Sequence, residues 1–77
     1  MDENDWKLIS VLYRTKSISQ AASLLFTTQP TLSKKLKQIE KDFDVQLVVR
    51  TSKGVIFTPE GKYLAEEAEK ILNHFQM

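Results

Sequence analysis

The 77-residue sequence contains no cysteine and a single histidine. It can therefore form no disulfide, and zinc or iron–sulfur sites that need cysteine ligands are excluded. No apolar run approaches the roughly 18 residues that a membrane-spanning helix requires. The acidic start MDENDW is also the opposite of a secretory signal. We therefore expect one small cytoplasmic domain, or a piece of a larger protein, with no membrane partner, cofactor or metal.

A large excess of charge of one sign is also missing, because the formal net charge is only +1. The charges are nevertheless unevenly placed along the chain. Residues 1–5 carry −3, residues 6–53 carry +6 and residues 54–77 carry −2. A basic middle section is typical of a polyanion-binding surface, although lysines on helices often serve only solvation. Charge alone leaves both interpretations open.

Two helices are predicted in the first third of the chain. The first covers about residues 4–14, with Asp2 or Asn4 as its N-cap. Its core-facing residues recur at helical spacing, and they are Trp6, Ile9, Leu12 and Tyr13. The second covers about residues 19–25. Its two adjacent alanines are small enough to let another helix cross closely.

A third helix is predicted over about residues 29–41, directly after a very short turn. Thr28 is a suitable N-cap, and Pro30 lies in the first turn, where a missing N–H costs little. One face is expected to be buried, and it carries Leu32, Leu36, Ile39 and Phe43. The other face is polar and cationic. A short helix packed on such a helix is how many proteins present a rod to the DNA major groove, which is wide enough for one α-helix.

The outer face of this third helix supplies the candidate DNA contacts. The residues predicted to meet base edges or the groove are Gln29, Thr31, Ser33 and Lys34, because their side chains suit adenine, thymine or guanine edges. Thr28 is expected to cap the helix and also to touch a phosphate. Lys37 should meet the DNA backbone and Lys35 is a further candidate for it, whereas Lys41 lies among acids and is interpreted as a surface charge. Alternatively, all these side chains merely solvate or cap the helix.

A β-hairpin and a long helix are predicted to follow. Two apolar β-branched segments, residues 45–50 and 55–57, predict strands on either side of a turn that contains Gly54. Arg50 and Lys53 lie near the tip, residues 50–54, and should reach phosphates or the minor groove. Arg50 has an alternative structural role in an ion pair. Thr58, Pro59 and Glu60 then form a clear helix start. The last helix carries an apolar stripe expected to form a two-fold dimer, namely Leu64, Ala68, Ile71, Leu72 and Phe75.

The motifs along the chain resemble the N-terminal DNA-binding domain of LysR-type bacterial transcription regulators. The matching segments, in chain order, are SISQAA, TQPTLS, IE, LVVR and TPEG. The resemblance implies a mainly α fold, a winged helix-turn-helix with a three-helix core, a two-stranded β-hairpin wing and a long C-terminal linker helix. The sequence departs from the family at three sites. Of these, Phe43-Asp44 stands where the family has Leu-Gly, so Asp44 must end the helix in the left-handed conformation.

The same resemblance implies several functional features. It places family DNA contacts at Gln29, Pro30 and Ser33. It divides the chain into a DNA-binding domain, residues 1–58, and a linker and dimerisation helix, residues 59–77. It also implies that the effector-binding domain of the parent protein is absent, and that two copies pair through their last helices. Double-stranded DNA and a second copy of the chain are therefore the expected partners, with a small-molecule effector only through the missing domain.

Two other functions remain open at this point. The chain could be a winged-helix module that binds proteins instead of DNA, in which case any DNA binding would lack a steep salt dependence. It could also belong to another winged-helix group such as the MarR-like regulators, which need flanking helices absent from this sequence. Catalysis has no support, because the lone His74 has no partners for metal or nucleophile chemistry. We expect a protein that is not an enzyme.

Overall fold

The computed structural model describes residues 1–75 as four helices and one hairpin. In chain order the elements are α1 (Glu3–Thr15), α2 (Ile18–Leu24), α3 (Gln29–Phe43), β1 (Val48–Thr51), β2 (Gly54–Phe57) and α4 (Pro59–Phe75). The predicted winged helix-turn-helix order is therefore confirmed, and each predicted helix is present with its predicted bounds matched to within two residues. None of these helices within residues 1–75 is long and apolar enough to cross a membrane.

The helices begin where the sequence supplies hydrogen-bond acceptors for their first N–H groups. At α1 the Asp2 carboxylate accepts the Asp5 N–H at 2.9 Å, and the Asp5 carboxylate accepts the Asp2 N–H at 3.3 Å. The Ser17 hydroxyl accepts an N–H at the start of α2, and the Thr28 hydroxyl does so at α3. Such caps stabilise a helix by roughly 1 kcal/mol each. Pro30 lies in the first turn of α3, as predicted.

Three helices end at a residue in the left-handed backbone region. Lys16, Phe26 and Asp44 have φ angles of 56°, 55° and 51°. At α3 the Asp44 N–H bonds back to Lys41 and the next N–H bonds to Glu40, so the helix closes on its own last carbonyls. Asp44 therefore has the helix-ending role that the sequence assigns to it.

The core lies between α1, α2, α3 and the inner side of α4. α1 packs along α4 and across α2, and α2 also packs against α3. Both alanines of α2 are buried, as predicted. Because an alanine side chain is a single methyl group, it lets two helix backbones come close. The buried apolar residues are Leu8, Ile9, Leu12, Ala21, Ala22, Leu32, Leu36, Ile39, Leu47, Val48, Val55, Ala65 and Ala68.

Phe43 is the one residue of the α3 stripe for which the expectation of burial is wrong. Its side chain is 50% exposed, while Leu47 is 0% exposed. The chain reverses at Asp44, and the Val45 N–H bonds back to the Glu40 carbonyl at 3.0 Å. This reversal brings Leu47 into the core beyond Ile39. Phe43 is consequently left at the rim of the domain.

The hairpin pairs β1 and β2 antiparallel, with Arg50 opposite Val55 and Thr51 opposite Gly54. It is anchored to the end of α1, because the Val55 N–H donates to the Lys16 carbonyl at 3.0 Å. Gly54 has a φ of 132°, and a Cβ there would overlap the same carbonyl oxygen. Only glycine fits both the turn and this close approach. The wing is therefore held against the helical core close to its turn.

α4 begins with a hydroxyl that joins it to the segment before β1. The Thr58 hydroxyl accepts the Gly61 N–H at 3.0 Å and faces the Gln46 and Leu47 carbonyls as a donor. A Cβ on Gly61 would overlap the Leu47 carbonyl, so this position also needs glycine. The predicted start of the last helix is confirmed, with Pro59 as its first residue.

Candidate nucleic-acid interface

The outer face of α3 forms a shallow groove lined mainly by lysine amines. The buried residues of α3 recur three and four positions apart, so they share one side of the helix and pack on the core. The opposite side, which carries this groove, therefore points away from the core. Most of the side chains along it are exposed. The residues that line the groove are Pro30, Ser33, Lys34, Lys37, Gln38 and Lys41. The structure thus brings four of the predicted contact residues together.

At the start of α3 two threonine hydroxyls are bonded to each other. Thr28 donates its hydroxyl proton to the Thr31 hydroxyl oxygen at 2.8 Å and accepts the Thr31 N–H at 3.3 Å. Both residues are exposed. The capping role of Thr28 is therefore confirmed. Contact of Thr28 or Thr31 with DNA stays a prediction.

A second cleft runs from the start of α3 to the tip of the hairpin. Gln29 lies on its α3 side and the predicted wing residues Arg50 and Lys53 on the other. The start of α2 closes the third side. The full lining is Ser17, Ile18, Ser19, Gln29, Arg50, Thr51, Ser52, Lys53, Gly54 and Val55. Because Gln29 and Pro30 are neighbours, the two grooves meet at the N-terminus of α3 and make one surface, which we call the polar face.

The cations of the polar face are available for an external anion. Among residues 1–75 no ion pair involves Lys34, Lys37, Arg50 or Lys53. Lys35 differs, because its ammonium lies 3.9 Å from the Asp5 carboxylate of α1. Four cations without a carboxylate partner raise the electrostatic potential of one side of the molecule. The alternative role of Arg50, an ion pair with a nearby acid, is not observed within residues 1–75.

The structure adds residues that the sequence interpretation did not assign to the interface. Lys41 lines the α3 groove with Lys34 and Lys37, although the sequence suggested only a surface charge. Ser17 and Ser19 line the cleft beside the wing. The signal for Lys41 was its spacing of four residues from Lys37, which puts both on one helix face. The serines gave no such signal, because their position depends on how α2 meets the hairpin.

The expected dimer residues of α4 do not all lie on its outer side. Ala68 is 0% exposed and packs in the core of its own chain, so its assignment to a dimer surface is corrected. The close packing of α4 on α1 is what buries it. Leu64, Ile71 and Leu72 are half-buried. The side chain of Phe75 lies outside the described residues.

An apolar groove lies beside the start of α4. Two exposed aromatic residues flank it, with Phe43 at 50% and Tyr63 at 63% exposure. The complete lining is Phe43, Val45, Pro59, Glu60, Tyr63 and Leu64. Neither aromatic residue was assigned to a partner surface from the sequence. The pattern pointed Phe43 to the core, and Tyr63 lay outside the stripe.

These features define a winged helix-turn-helix domain whose α3 carries a free cationic face. The chain belongs to the bacterial regulatory helix-turn-helix proteins of the lysR family, whose family model matches residues 4–62. The resemblance noted in the motifs is thereby confirmed.

Relatives and solved structures agree with this family. The uncharacterized HTH-type transcriptional regulator YraN of Bacillus subtilis is 40% identical over 76 residues, which make up 99% of this chain and 26% of YraN. The crystal structure of the BenM DBD in complex with catB site 1 DNA has a TM-score of 0.93 at 29% identity, covering 99% of this chain and 85% of that one. Vibrio fischeri DarR in complex with DNA has a TM-score of 0.89 at 32% identity, covering 99% and 26%. The chain thus spans about a quarter of the length of the full regulator YraN.

Proposed function

We propose that this chain binds double-stranded DNA sequence-specifically, as the DNA-binding part of a transcription regulator. α3 lies in the major groove, and the wing meets the backbone or minor groove. The observation that carries the proposal is the polar face, where Lys34 and Lys37 line one groove and Arg50 and Lys53 line the cleft beside the exposed start of α3. Winged-helix relatives have been crystallised with DNA, and this lends further support.

Within this proposal the N-terminal half of α3 reads the bases. Gln29, Thr31, Ser33 and Lys34 meet base edges, while Pro30 packs at the groove. Thr28 and Lys37 bind phosphates on either side. Phosphate contacts position a protein on the duplex, and base contacts give it specificity.

Single substitutions on α3 test this assignment. A DNA site is first selected with the parent chain from a random duplex library. Gln29→Ala and Lys34→Ala should each weaken binding to that site by about 1–3 kcal/mol, with an unchanged melting temperature. Lys35→Ala is the matched control, because its partner is Asp5 of α1, and it should cost far less affinity. Fluorescence anisotropy titrations give the affinities.

The same titrations separate DNA binding from a protein-binding module. A DNA-binding domain loses affinity steeply as salt rises, since it releases counterions from the duplex. If the parent chain selects no site and binds no duplex even at low salt, the proposal is wrong. Equal affinities for parent, Gln29→Ala and Lys34→Ala would show that α3 is not the reading helix.

We also propose that α4 links the DNA-binding domain, residues 1–58, to a partner copy and to the rest of a longer regulator. The half-buried Leu64, Ile71 and Leu72 support this, together with the apolar groove beside Leu64. The chain is proposed to act in the cytoplasm without catalysis or a cofactor. That role fits relatives that are transcription regulators.

A further inference from the structure

Phe26, in the turn between α2 and α3, is the most exposed large apolar residue of the described chain, at 97%. It follows directly after the last turn of α2. Its N–H bonds to the Ser23 carbonyl at 3.2 Å, and the Thr27 N–H bonds to the Ala22 carbonyl at 2.9 Å. This pair of bonds is the Schellman pattern of a helix end. Phe26 occupies its left-handed position, with a φ of 55°.

The left-handed position of that pattern favours glycine, and after it asparagine. A bulky side chain with positive φ is a genuine backbone outlier, because its Cβ crowds the carbonyl oxygen of the turn. The other two such residues are better accounted for. Asp tolerates the conformation, and the Lys16 ammonium lies 3.6 Å from the centroid of the Tyr13 ring. The Phe26 ring has no comparable packing in the free chain.

Neither a positive φ at a phenylalanine nor its exposed ring therefore stabilises the free fold. The turn needs a left-handed residue, but it does not need an aromatic one. Unfavourable conformations of this kind are retained where a bound state uses them. A contact made only in the complex would explain why a residue with both an unfavourable φ and an exposed apolar ring stands at this position.

The position of Phe26 indicates what it meets. It precedes Thr28, the N-cap of α3, by two residues, so it lies within about 11 Å of Gln29 along the chain. If the start of α3 enters the major groove, the turn just before it lies at the rim of that groove. The rim consists of phosphates and deoxyribose rings, and the sugars offer an apolar C–H surface. A ring without charge or hydrogen-bonding groups fits the sugar, not the phosphate.

We propose that the Phe26 ring packs on a deoxyribose at the rim of the major groove and adds a non-ionic, sequence-independent contact to DNA binding. The inference rests on the proposed function, since it requires α3 in that groove. It makes Phe26 a positioning residue, because a contact just outside the helix end fixes how deeply α3 enters. The same residue, Phe26, then lowers the stability of the free fold and adds to the affinity of the complex.

Replacing Phe26 should raise the stability of the free chain and lower its affinity for DNA. Phe26→Gly and Phe26→Asn relieve the left-handed backbone, so the melting temperature should rise by about 4–8 °C. Both should bind the selected site and unrelated duplexes about three- to tenfold more weakly than the parent, because the apolar contact is lost. The slope of affinity against salt should not change, since no charge is removed. Glycine excludes any new hydrogen bond that asparagine could make.

Leu24→Gln is the matched control, because Leu24 is 61% exposed at the end of α2 but has an ordinary helical backbone. It should change neither the melting temperature nor the affinity noticeably. Repeating the titrations with every thymine replaced by uracil removes the thymine methyl groups. The ratio of parent to Phe26→Gly affinity should stay the same on both duplexes.

Several results would overturn the proposal. If the Phe26 variants bind as tightly as the parent while Gln29→Ala binds weakly, DNA binding stands and the Phe26 contact is absent. A ratio that falls to one on uracil duplexes would assign the ring to a thymine methyl instead of a sugar. A parent chain that binds no duplex would remove both this inference and the proposed function.

Discussion

Glu40 shows how a single charged side chain fixes the position of the wing. It lies in the last turns of α3, half-buried, and its carboxylate accepts the Leu47 N–H at 2.7 Å and the Val48 N–H at 3.4 Å. Both N–H groups lie at the point where the chain enters β1. Leu47 is fully buried, so its N–H has no access to water as an alternative partner. One side chain thus joins the recognition helix to the hairpin.

Glu40→Ala should lower the free energy of unfolding by about 2–3 kcal/mol, since hydrogen bonds to a charged group are lost and a buried N–H is left unpaired. Glu40→Gln keeps one acceptor oxygen and should lose less. Asp42→Ala is the control on the same helix, because within residues 1–75 its side chain bonds only to exposed Gln38, and it should stay within about 0.5 kcal/mol of the parent. Urea unfolding measures all three. Equal stability of Glu40→Ala and Asp42→Ala would contradict the anchoring role.

At this scale the sequence predicts local features and misses tertiary ones. The cap Thr28 follows from neighbouring residues and is confirmed. The sequence left the cap of α1 open between Asp2 and Asn4, and the structure selects Asp2. The helix end at Asp44, expected from the family resemblance, is also confirmed. The role of Glu40 depends on the chain returning seven residues later, which no local pattern encodes. Phe43 was misplaced for the same reason, because helical spacing continues past the point where the core ends.

The hairpin depends on the helical core for its orientation. Its inner residues Val48 and Val55 are buried, whereas Val49 and Ile56 on the other face are exposed. The Lys16 carbonyl at the end of α1 holds the Val55 N–H. An isolated two-stranded hairpin is marginally stable in water, so these contacts are what position its tip. Arg50 and Lys53 are therefore presented from a defined place beside α3.

Replacing Arg50 and Lys53 together by glutamine should weaken binding to all duplex sequences. If both residues meet phosphates, the slope of affinity against salt should flatten by roughly two units, because two fewer counterions are released. The ranking of DNA sites should stay the same. Lys62→Gln, an exposed cation of α4, is the control and should leave the slope almost unchanged. A double variant with altered site preference and an unchanged slope would assign the wing to base reading.

The existence of each element followed from sequence, but the strand bounds did not. The apolar run from Val45 predicts a strand that begins there, whereas β1 begins at Val48. The preceding residues have other hydrogen bonds. The Val45 N–H bonds to α3, the Leu47 N–H to Glu40, and the Leu47 carbonyl to the Thr58 N–H. These partners are Glu40 in α3 and Thr58 just before α4, and they lie outside the run itself. The apolar pattern therefore could not show that residues 45–47 join the two helices instead of pairing in the hairpin.

At the scale of the whole molecule, the outer side of α4 is where a second copy is proposed to pack. The core takes Ala65 and Ala68, while Leu64, Ile71 and Leu72 stay half-buried. The exposed Phe43 and Tyr63 extend this surface at the start of the helix. An apolar surface that is open on a small domain often marks an association site. The sequence stripe indicated this side of α4, although it could not separate the residues that pack inward from those that face out.

Ile71→Glu should place a charge in the proposed seam and shift the chain toward monomer. The parent should show a dimer that depends on concentration, because one helix and a few neighbouring side chains make a small interface. A self-complementary surface closes with two-fold symmetry, so two copies of α3 would face successive major grooves about one DNA turn apart. The selected site should accordingly be a rough palindrome.

Asn73→Glu is the matched control, since Asn73 is exposed on the same helix and should leave the dimer intact. Sedimentation velocity of the three proteins, free and on the selected duplex, measures the outcome. A parent that stays monomeric at high concentration in both states would rule out the dimer. Equal weakening by Ile71→Glu and Asn73→Glu would move the interface to another face.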